Sequence, residues 1–231
     1  MAKKVFLGVG HGGKDPGAIG NGFYEKDLNL GIATACNEVL VRHGVNVLMS
    51  RTGDENDTLN DEIRECNAFN PDLAIDIHNN AGGGDGVEAF CHIGGGLSKT
   101  LATNVIDEIV KIGQNSRGVK TKTLSSGLDY YGFIRETYAP AVIVECAFID
   151  NAKDITIVDT AQEQAIMGEA IAKGILTTLG IKFVPKGSNE VTEGDTLYRV
   201  QVGAFKKKSN AEAYAQTIRD AGFDAFVVTV E

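Results

Sequence analysis

The sequence predicts an α/β fold: a twisted, largely parallel sheet flanked by helices on both faces, followed by a small βαβ unit. Short apolar segments alternate with longer amphipathic segments through most of the chain, which is the order of elements that builds a parallel sheet. The apolar segments also contain few polar residues, as in AVIVEC at residues 141–146. Such strands are typical of a sheet that is covered on both faces.

The strands are predicted from apolar runs of strand length. In chain order they are Val5–Val9, Val45–Met49, Leu73–His78, Val87–His92, Gly118–Leu124 and Ala141–Cys146.

The helices are predicted from apolar residues that recur at helical spacing. Leu28 and Ile32 begin one such stripe, and Gly44 ends it. Thr58 precedes another helix as its cap, with Asp61 three residues later, as in a capping box. The predicted helices are Glu25–His43, a helix between Thr58 and Pro71, Leu97–Ile112 and Gln162–Leu179.

The alternating pattern ends near Gly180, and three parts follow from this. Residues 1–180 form the large domain, and residues 181–196 have the Pro- and Gly-containing composition of a linker. Residues 197–231 form a small unit, in which a helix at Ser209–Ala221 lies between the strand segments YRVQVGAF and FDAFVVTV.

The charge of the chain excludes some classes of partner. The formal net charge of the 231 residues is −9, and residues 1–180 carry all of it, with 24 Asp and Glu against 15 Lys and Arg. An acidic surface argues against binding to nucleic acid or to anionic membranes.

The sequence contains no run of about 18 apolar residues, so no membrane-spanning helix is predicted. The apolar run after Lys3 and Lys4 is too short for a signal peptide. We therefore expect a protein that is made in the cytoplasm and that reaches a target outside only after release. The cysteines lie far apart in apolar segments and form no C-x-x-C pair, which predicts reduced core residues at Cys36, Cys66, Cys91 and Cys146.

The glycine-rich stretch after the first strand nearly matches two phosphate-binding loops. Gly8, Gly10 and Gly13 fit G-x-G-x-x-G, and Gly8 to Lys14 fits G-x-x-x-x-G-K. Both motifs require a helix directly after the loop, with its N-terminus facing the phosphate. Asp15-Pro16-Gly17 follows instead, so a nucleotide site is not expected.

Four side chains are predicted to converge at one edge of the sheet. His11, His78 and Glu145 stand at the carboxyl ends of strands, and Glu25 stands where the glycine-rich loop enters the first helix. Two histidines and a carboxylate form an open zinc site, and a second carboxylate can transfer protons. The spacing alone leaves open whether His11 is only an incidental residue of a tight turn.

The chain resembles a known family along residues 4–180. The blocks that carry the resemblance are GHGGKDPGAIG, YEKDLNL, SRTGDE, NDEIRECN, LAIDIHNN, GVEAF and VIVECAFIDN. They follow one another in the order seen in zinc-dependent N-acetylmuramoyl-L-alanine amidases of bacterial cell-wall lytic enzymes. The resemblance implies that His11, Glu25 and His78 are the Zn²⁺ ligands and that Glu145 is the catalytic residue.

The activity implied by the resemblance is hydrolysis of the amide between N-acetylmuramic acid and L-alanine in peptidoglycan. The protein would then lyse the wall after release, as a phage endolysin or as a mother-cell enzyme of a spore former. Two alternatives stay open: a catalytically inactive wall-binding protein, and a zinc carboxypeptidase or deacetylase that acts on peptidoglycan.

The C-terminal unit resembles one half of the sporulation-related repeat found on cell-wall amidases. The resemblance implies binding to wall glycan, and a passive appendage is the alternative. A unit of about 35 residues buries little core alone. Three outcomes are then open for the unit: it docks on the large domain, it stays loosely ordered, or it pairs with the same unit of a second chain. We favour pairing in a homodimer, because open strand edges recruit partners.

Some polar residues have no settled role in the sequence. Asp76 stands where the family usually has a small polar residue, and it is either a buried hydrogen-bonded Asp or a carboxylate that orients His78. Arg64 either braces a loop or touches substrate. Metal binding by His43 or His92 is not expected.

Overall fold

The structure, a computed structural model, describes residues 2–186, 201–220 and 225–228. The chain divides into two compact units, Met1–Phe183 and Val184–Glu231. The strands of the first unit are β1 (Lys4–Val9), β2 (Ile19–Gly20), β3 (Phe23–Tyr24), β4 (Asn46–Met49), β5 (Leu73–Asn80), β6 (Val87–Cys91), β7 (Ser116–Lys120) and β8 (Ala141–Phe148).

The main sheet has six strands in the order β4-β1-β5-β8-β6-β7, and β2 and β3 form a separate hairpin. Neighbouring strands are parallel except for β6 and β8, which are antiparallel. The sheet is therefore mixed, with β6 and β7 running against the other four strands. The connection between β5 and β6, residues 81–86, is too short for the crossover that a parallel pair requires.

Helices cover both faces of this sheet, as predicted. They are α1 (Glu25–Arg42), α2 (Leu59–Phe69), α3 (Gly96–Lys111), α4 (Gly132–Glu136) and α5 (Ala161–Leu179). The larger core lies under α1, α3 and α5, and a smaller core joins α2 and α4 to the other face. Ala74 and Ile143 of the sheet belong to the smaller core. Because strand side chains alternate, His78 and Glu145 lie further along this same face, towards the carboxyl edge of β5 and β8.

The predicted elements of the large domain are confirmed, with shifts at their ends. The segment expected as a strand at Gly118–Leu124 instead forms its strand at Ser116–Lys120. The structure adds the β2–β3 hairpin, the short α4 and a 3₁₀ helix at Asp154–Ile157. All four cysteines are buried and unpaired, as expected. No described helix is long and apolar enough to cross a membrane.

The second unit contains one described helix, α6 (Lys208–Asp220), close to the predicted one. Residues 201–205 and 225–228 were expected within strands but carry no strand. The remainder of those two segments, and the linker from residue 187 onward, lie outside the described residues.

Candidate active site

Three neighbouring strands bring the predicted site residues to one edge of the sheet. His11 follows β1, which pairs in parallel with β5, where Val9 lies opposite Ile77. In the next pair His78 of β5 lies directly opposite Glu145 of β8. Glu25 is the first residue of α1, and the hairpin before it returns the chain to the same edge.

His11, Glu25 and His78 form one compact cluster. Glu25 lies between the two rings, with Oε2 3.1 Å from His11 Nε2 and Oε1 2.9 Å from His78 Nδ1. One ligand atom from each side chain lies within 4.8 Å of the other two, and the described part of the chain has no second group of this kind. Two imidazoles and a carboxylate are the donor set of an open, catalytic zinc site, so these residues fit a metal ion.

The Glu25 carboxylate is strongly held in its ionised form. Burial opposes ionisation, but the hydrogen bonds from His11 and His78 outweigh it and hold the pKa of Glu25 well below its ordinary value. Its oxygens also accept the backbone N–H groups of Ala18, at 2.8 Å, and Asn79, at 3.1 Å. Glu25 is therefore an anion fixed in position.

Each histidine of the cluster is held from behind by a second carboxylate. Asp15 Oδ2 lies 2.8 Å from His11 Nδ1, and Asp76 Oδ2 lies 3.1 Å from His78 Nε2. A carboxylate on one ring nitrogen fixes the tautomer, so that the other nitrogen is available to a metal. The buried Asp76 thus orients His78. In the sequence, Asp15 only indicated that no helix follows the glycine-rich loop, and its contact with His11 was not predicted.

Two glycines explain why the loop around His11 has so few side chains. A Cβ atom at Gly10 would lie 2.2 Å from Cε1 of His78. At Gly17, where φ is +65°, a Cβ would lie 2.6 Å from both Glu25 Oε2 and His11 Cδ2. Any larger residue at either position would displace a cluster side chain. His11 itself has φ +64°, a left-handed conformation that a non-glycine residue adopts at some cost.

Arg51 ties this loop to the start of α1. Its side chain is buried and donates to the backbone carbonyls of Val9 at 3.0 Å, Gly10 at 3.2 Å and Lys26 at 2.7 Å. The block SRTGDE contributes to the family resemblance, but the sequence pattern indicates no role for Arg51. Only the fold shows that one guanidinium fixes both chain segments that carry His11 and Glu25.

Glu145 lies beside the cluster, and its carboxyl group holds a proton more readily than that of Glu25. Burial raises the pKa of Glu145 to about 7; nearby His78 opposes this, and the carboxylates of Glu25, Asp76 and Glu88 add to it. Among the described residues, nothing forms a hydrogen bond or ion pair with its carboxylate. A carboxyl group with a pKa near neutrality can both take up and release a proton.

A buried acid that the sequence analysis missed lies behind Asp76. Glu62 Oε1 and Asp76 Oδ1 are both buried without a hydrogen-bond partner, and both lie against the open side of Gly8. Burial, and next the charge of Asp76, raise the pKa of Glu62 well above its ordinary value. The charge pattern of α2 gives no sign that this one acid faces inward.

The remaining polar candidates lie away from the cluster. Arg64 is exposed and pairs with Asp61 at 2.6 Å on the surface of α2. His92 follows β6, whose reversed direction places its end at the opposite edge of the sheet, and it lies 3.1 Å from Asp129. His43 contacts the backbone carbonyl of Val39 at the end of α1.

Comparison with known proteins gives consistent matches. The profile of the N-acetylmuramoyl-L-alanine amidase family matches residues 5–177, and the SPOR domain profile matches residues 169–229. The sporulation-specific N-acetylmuramoyl-L-alanine amidase of Bacillus subtilis (strain 168) is 34% identical over 229 residues, which cover 97% of this chain and 84% of that protein.

Two further matches extend this likeness. The endolysin of Bacillus phage SPP1 is 33% identical over 210 residues, covering 85% of this chain and 75% of the endolysin. The catalytic domain of CwlV, an N-acetylmuramoyl-L-alanine amidase from Bacillus (Paenibacillus) polymyxa var. colistinus, superposes with a TM-score of 0.71 at 27% identity. That match covers 78% of this chain and 99% of the solved domain.

Proposed function

The chain belongs to the N-acetylmuramoyl-L-alanine amidase family, and from this premise we propose how its residues perform the reaction. It is an enzyme that hydrolyses the amide bond between N-acetylmuramic acid and L-alanine in peptidoglycan. His11, Glu25 and His78 hold a zinc ion, and Glu145 transfers the protons. The observation that carries this assignment is the convergence of the His11–Glu25–His78 cluster beside an unpaired carboxyl group.

The metal and the protein divide the chemistry between them. Bound zinc supplies a Lewis acid that activates water and polarises the amide carbonyl. Glu145 accepts a proton from the attacking water and delivers it to the nitrogen of L-alanine, which is a poor leaving group until it is protonated. Asp15 and Asp76 keep the two histidines in the ligating tautomer.

Digestion of purified peptidoglycan tests the reaction directly. New amino groups of L-alanine are expected without new reducing sugar ends, because only the amide is cut. The same digestion with a Glu145→Gln variant is the control for a contaminating hydrolase. Release of C-terminal amino acids or of acetate would support the carboxypeptidase or deacetylase alternative, and absence of any product would support an inactive wall-binding protein.

The C-terminal unit is the part of the enzyme that we assign to wall binding. Its support is the SPOR match, which begins at residue 169, earlier than the boundary predicted at residue 197. Removal of residues 184–231 is expected to leave turnover of small soluble substrates unchanged and to abolish sedimentation with cell walls. Equal sedimentation of the full and truncated chains would contradict this role.

The pairing of two such units in a homodimer stays a prediction. Light scattering on the full and truncated chains tests it, since only the full chain should show a dimer. Release of the enzyme from the cytoplasm before it acts also stays a prediction.

A further inference from the structure

Two cations share one carboxylate next to Glu145. Glu88 of β6 lies directly opposite Glu145 in the antiparallel pair, so the two side chains point to the same face. Glu88 Oε2 accepts hydrogen bonds from Arg117 Nε at 2.6 Å and from Lys120 Nζ at 2.5 Å, and Asn80 occupies its other oxygen. Arg117, Lys120 and Glu88 together therefore carry a net charge of +1, in a domain that is otherwise strongly acidic.

Both cations remain accessible to a ligand. The side chains of Arg117 and Lys120 are 37% and 35% exposed, whereas that of Glu88 is 7% exposed. The Arg117 guanidinium lies over the ring of Phe148, 4.9 Å from its centroid, which fixes its plane. Its two terminal nitrogens form no hydrogen bond with any described residue. A fixed fork of free N–H donors suits a carboxylate.

The sheet order places these cations on the side of Glu145 that is opposite to His78. β5, with His78, is on one side of β8, and β6 and β7 are on the other. If the carbonyl faces the His11–Glu25–His78 cluster and Glu145 protonates the L-alanine nitrogen, the peptide extends over β6 and β7. This step rests on the function proposed above.

The spacing of the strands matches the length of a peptide that extends from Glu145 over β6 and β7. Neighbouring strands lie about 4.8 Å apart, so β7 is roughly 10 Å from β8, and Arg117 and Lys120 reach back over β6 to Glu88. An extended peptide advances about 3.5 Å per residue. A carboxylate on the residue after L-alanine would therefore lie roughly 7 Å from the scissile nitrogen, within reach of both cations.

We propose that Arg117 and Lys120 form an anion subsite that binds a carboxylate of the stem peptide, on the residue that follows L-alanine. The enzyme then prefers stems with a free acid at that residue over stems in which the acid is amidated.

The test compares two substrates that differ only in charge. Both are short glycan strands of N-acetylglucosamine and N-acetylmuramic acid, one with L-alanyl-D-glutamic acid stems and the other with the corresponding diamide. Arg117→Ala and Lys120→Ala are each expected to lower kcat/KM for the acid substrate about tenfold, mainly through KM, since each removes a charge-assisted hydrogen bond. Turnover of the diamide should change by less than about twofold on the same basis.

Two further variants sharpen the comparison. Lys111→Ala removes a cation from α3, on the opposite face of the sheet, and should leave the preference for the acid unchanged. Glu88→Gln removes the anion that competes for both cations and should increase that preference. Because this readout is a ratio between substrates, a general loss of activity in any variant does not affect it.

The outcomes separate the subsite from the reaction. Equal losses on both substrates would mean that the cations only hold Glu88 in place, and would overturn the subsite. Wild-type turnover of both substrates at the same rate would overturn it as well, while leaving the amidase assignment intact. Turnover of neither would overturn the proposed function, and the subsite with it.

Discussion

Replacement of Glu145 by glutamine is expected to leave the fold and the bound zinc unchanged and to lower kcat by about 10²–10⁴-fold, the usual contribution of a general acid–base group. Glutamine has nearly the same shape but cannot accept the proton of the attacking water. Glu145 lies outside the set of side chains whose donor atoms cluster, so its removal should not affect the metal.

Measurement of both zinc content and kcat decides the role of Glu145. The matched control is Glu169→Gln, which changes the net charge equally on the outer surface of α5, on the opposite face of the sheet. If Glu145→Gln instead emptied the metal site, Glu145 would be a ligand, and Glu25 would be the better candidate for proton transfer.

Replacement of His78 by alanine is expected to reduce zinc from about one ion per chain to nearly none and to abolish turnover. The remaining donors, His11 and Glu25, are too few for a tight site. Wild-type protein should also unfold at a higher temperature with added zinc, because a ligand at 100 times its Kd stabilises the folded state by about 2.7 kcal/mol. The His78→Ala variant should lose this increment.

Two variants calibrate the His78 result. Asp76→Asn removes the acceptor behind His78 and should weaken zinc binding about 10–100-fold without eliminating it. His92→Ala removes a histidine at the opposite edge of the sheet and should retain full zinc content. A fully active, metal-free wild-type preparation would contradict the zinc assignment altogether.

The layered α/β architecture could be predicted from the sequence because apolar runs mark the strands and helices. The clustering of His11, Glu25 and His78 could also be predicted, because these residues follow strands or begin the first helix. The antiparallel direction of β6 was not predicted, because the residue composition of Val87–His92 does not indicate which way a strand runs in the sheet. The length of the connection indicates this direction, because the six residues 81–86 between β5 and β6 are too few for the crossover that parallel strands require.

Other parts of the site depend on long-range contacts that local patterns do not encode. Arg51 and Glu62 look like ordinary surface charges in their segments, yet both are buried, at 2% and 7% exposure. Glu88 faces Glu145 only because β6 is reversed. Sequence reasoning thus found the residues that stand at strand ends and missed the residues that hold them.

The position of Glu25 between the imidazoles of His11 and His78 affects how metal binding depends on pH. Without a cation, burial disfavours protonation of His78 and His11, but the surrounding carboxylates outweigh it and raise the pKa of both rings. A metal ion that binds these ring nitrogens competes with protons for the same atoms. Binding of the proposed zinc ion is therefore expected to release protons, and the affinity for zinc should fall as the solution is acidified. Mild acid should strip the ion, and neutralisation with zinc should restore it without refolding of the chain.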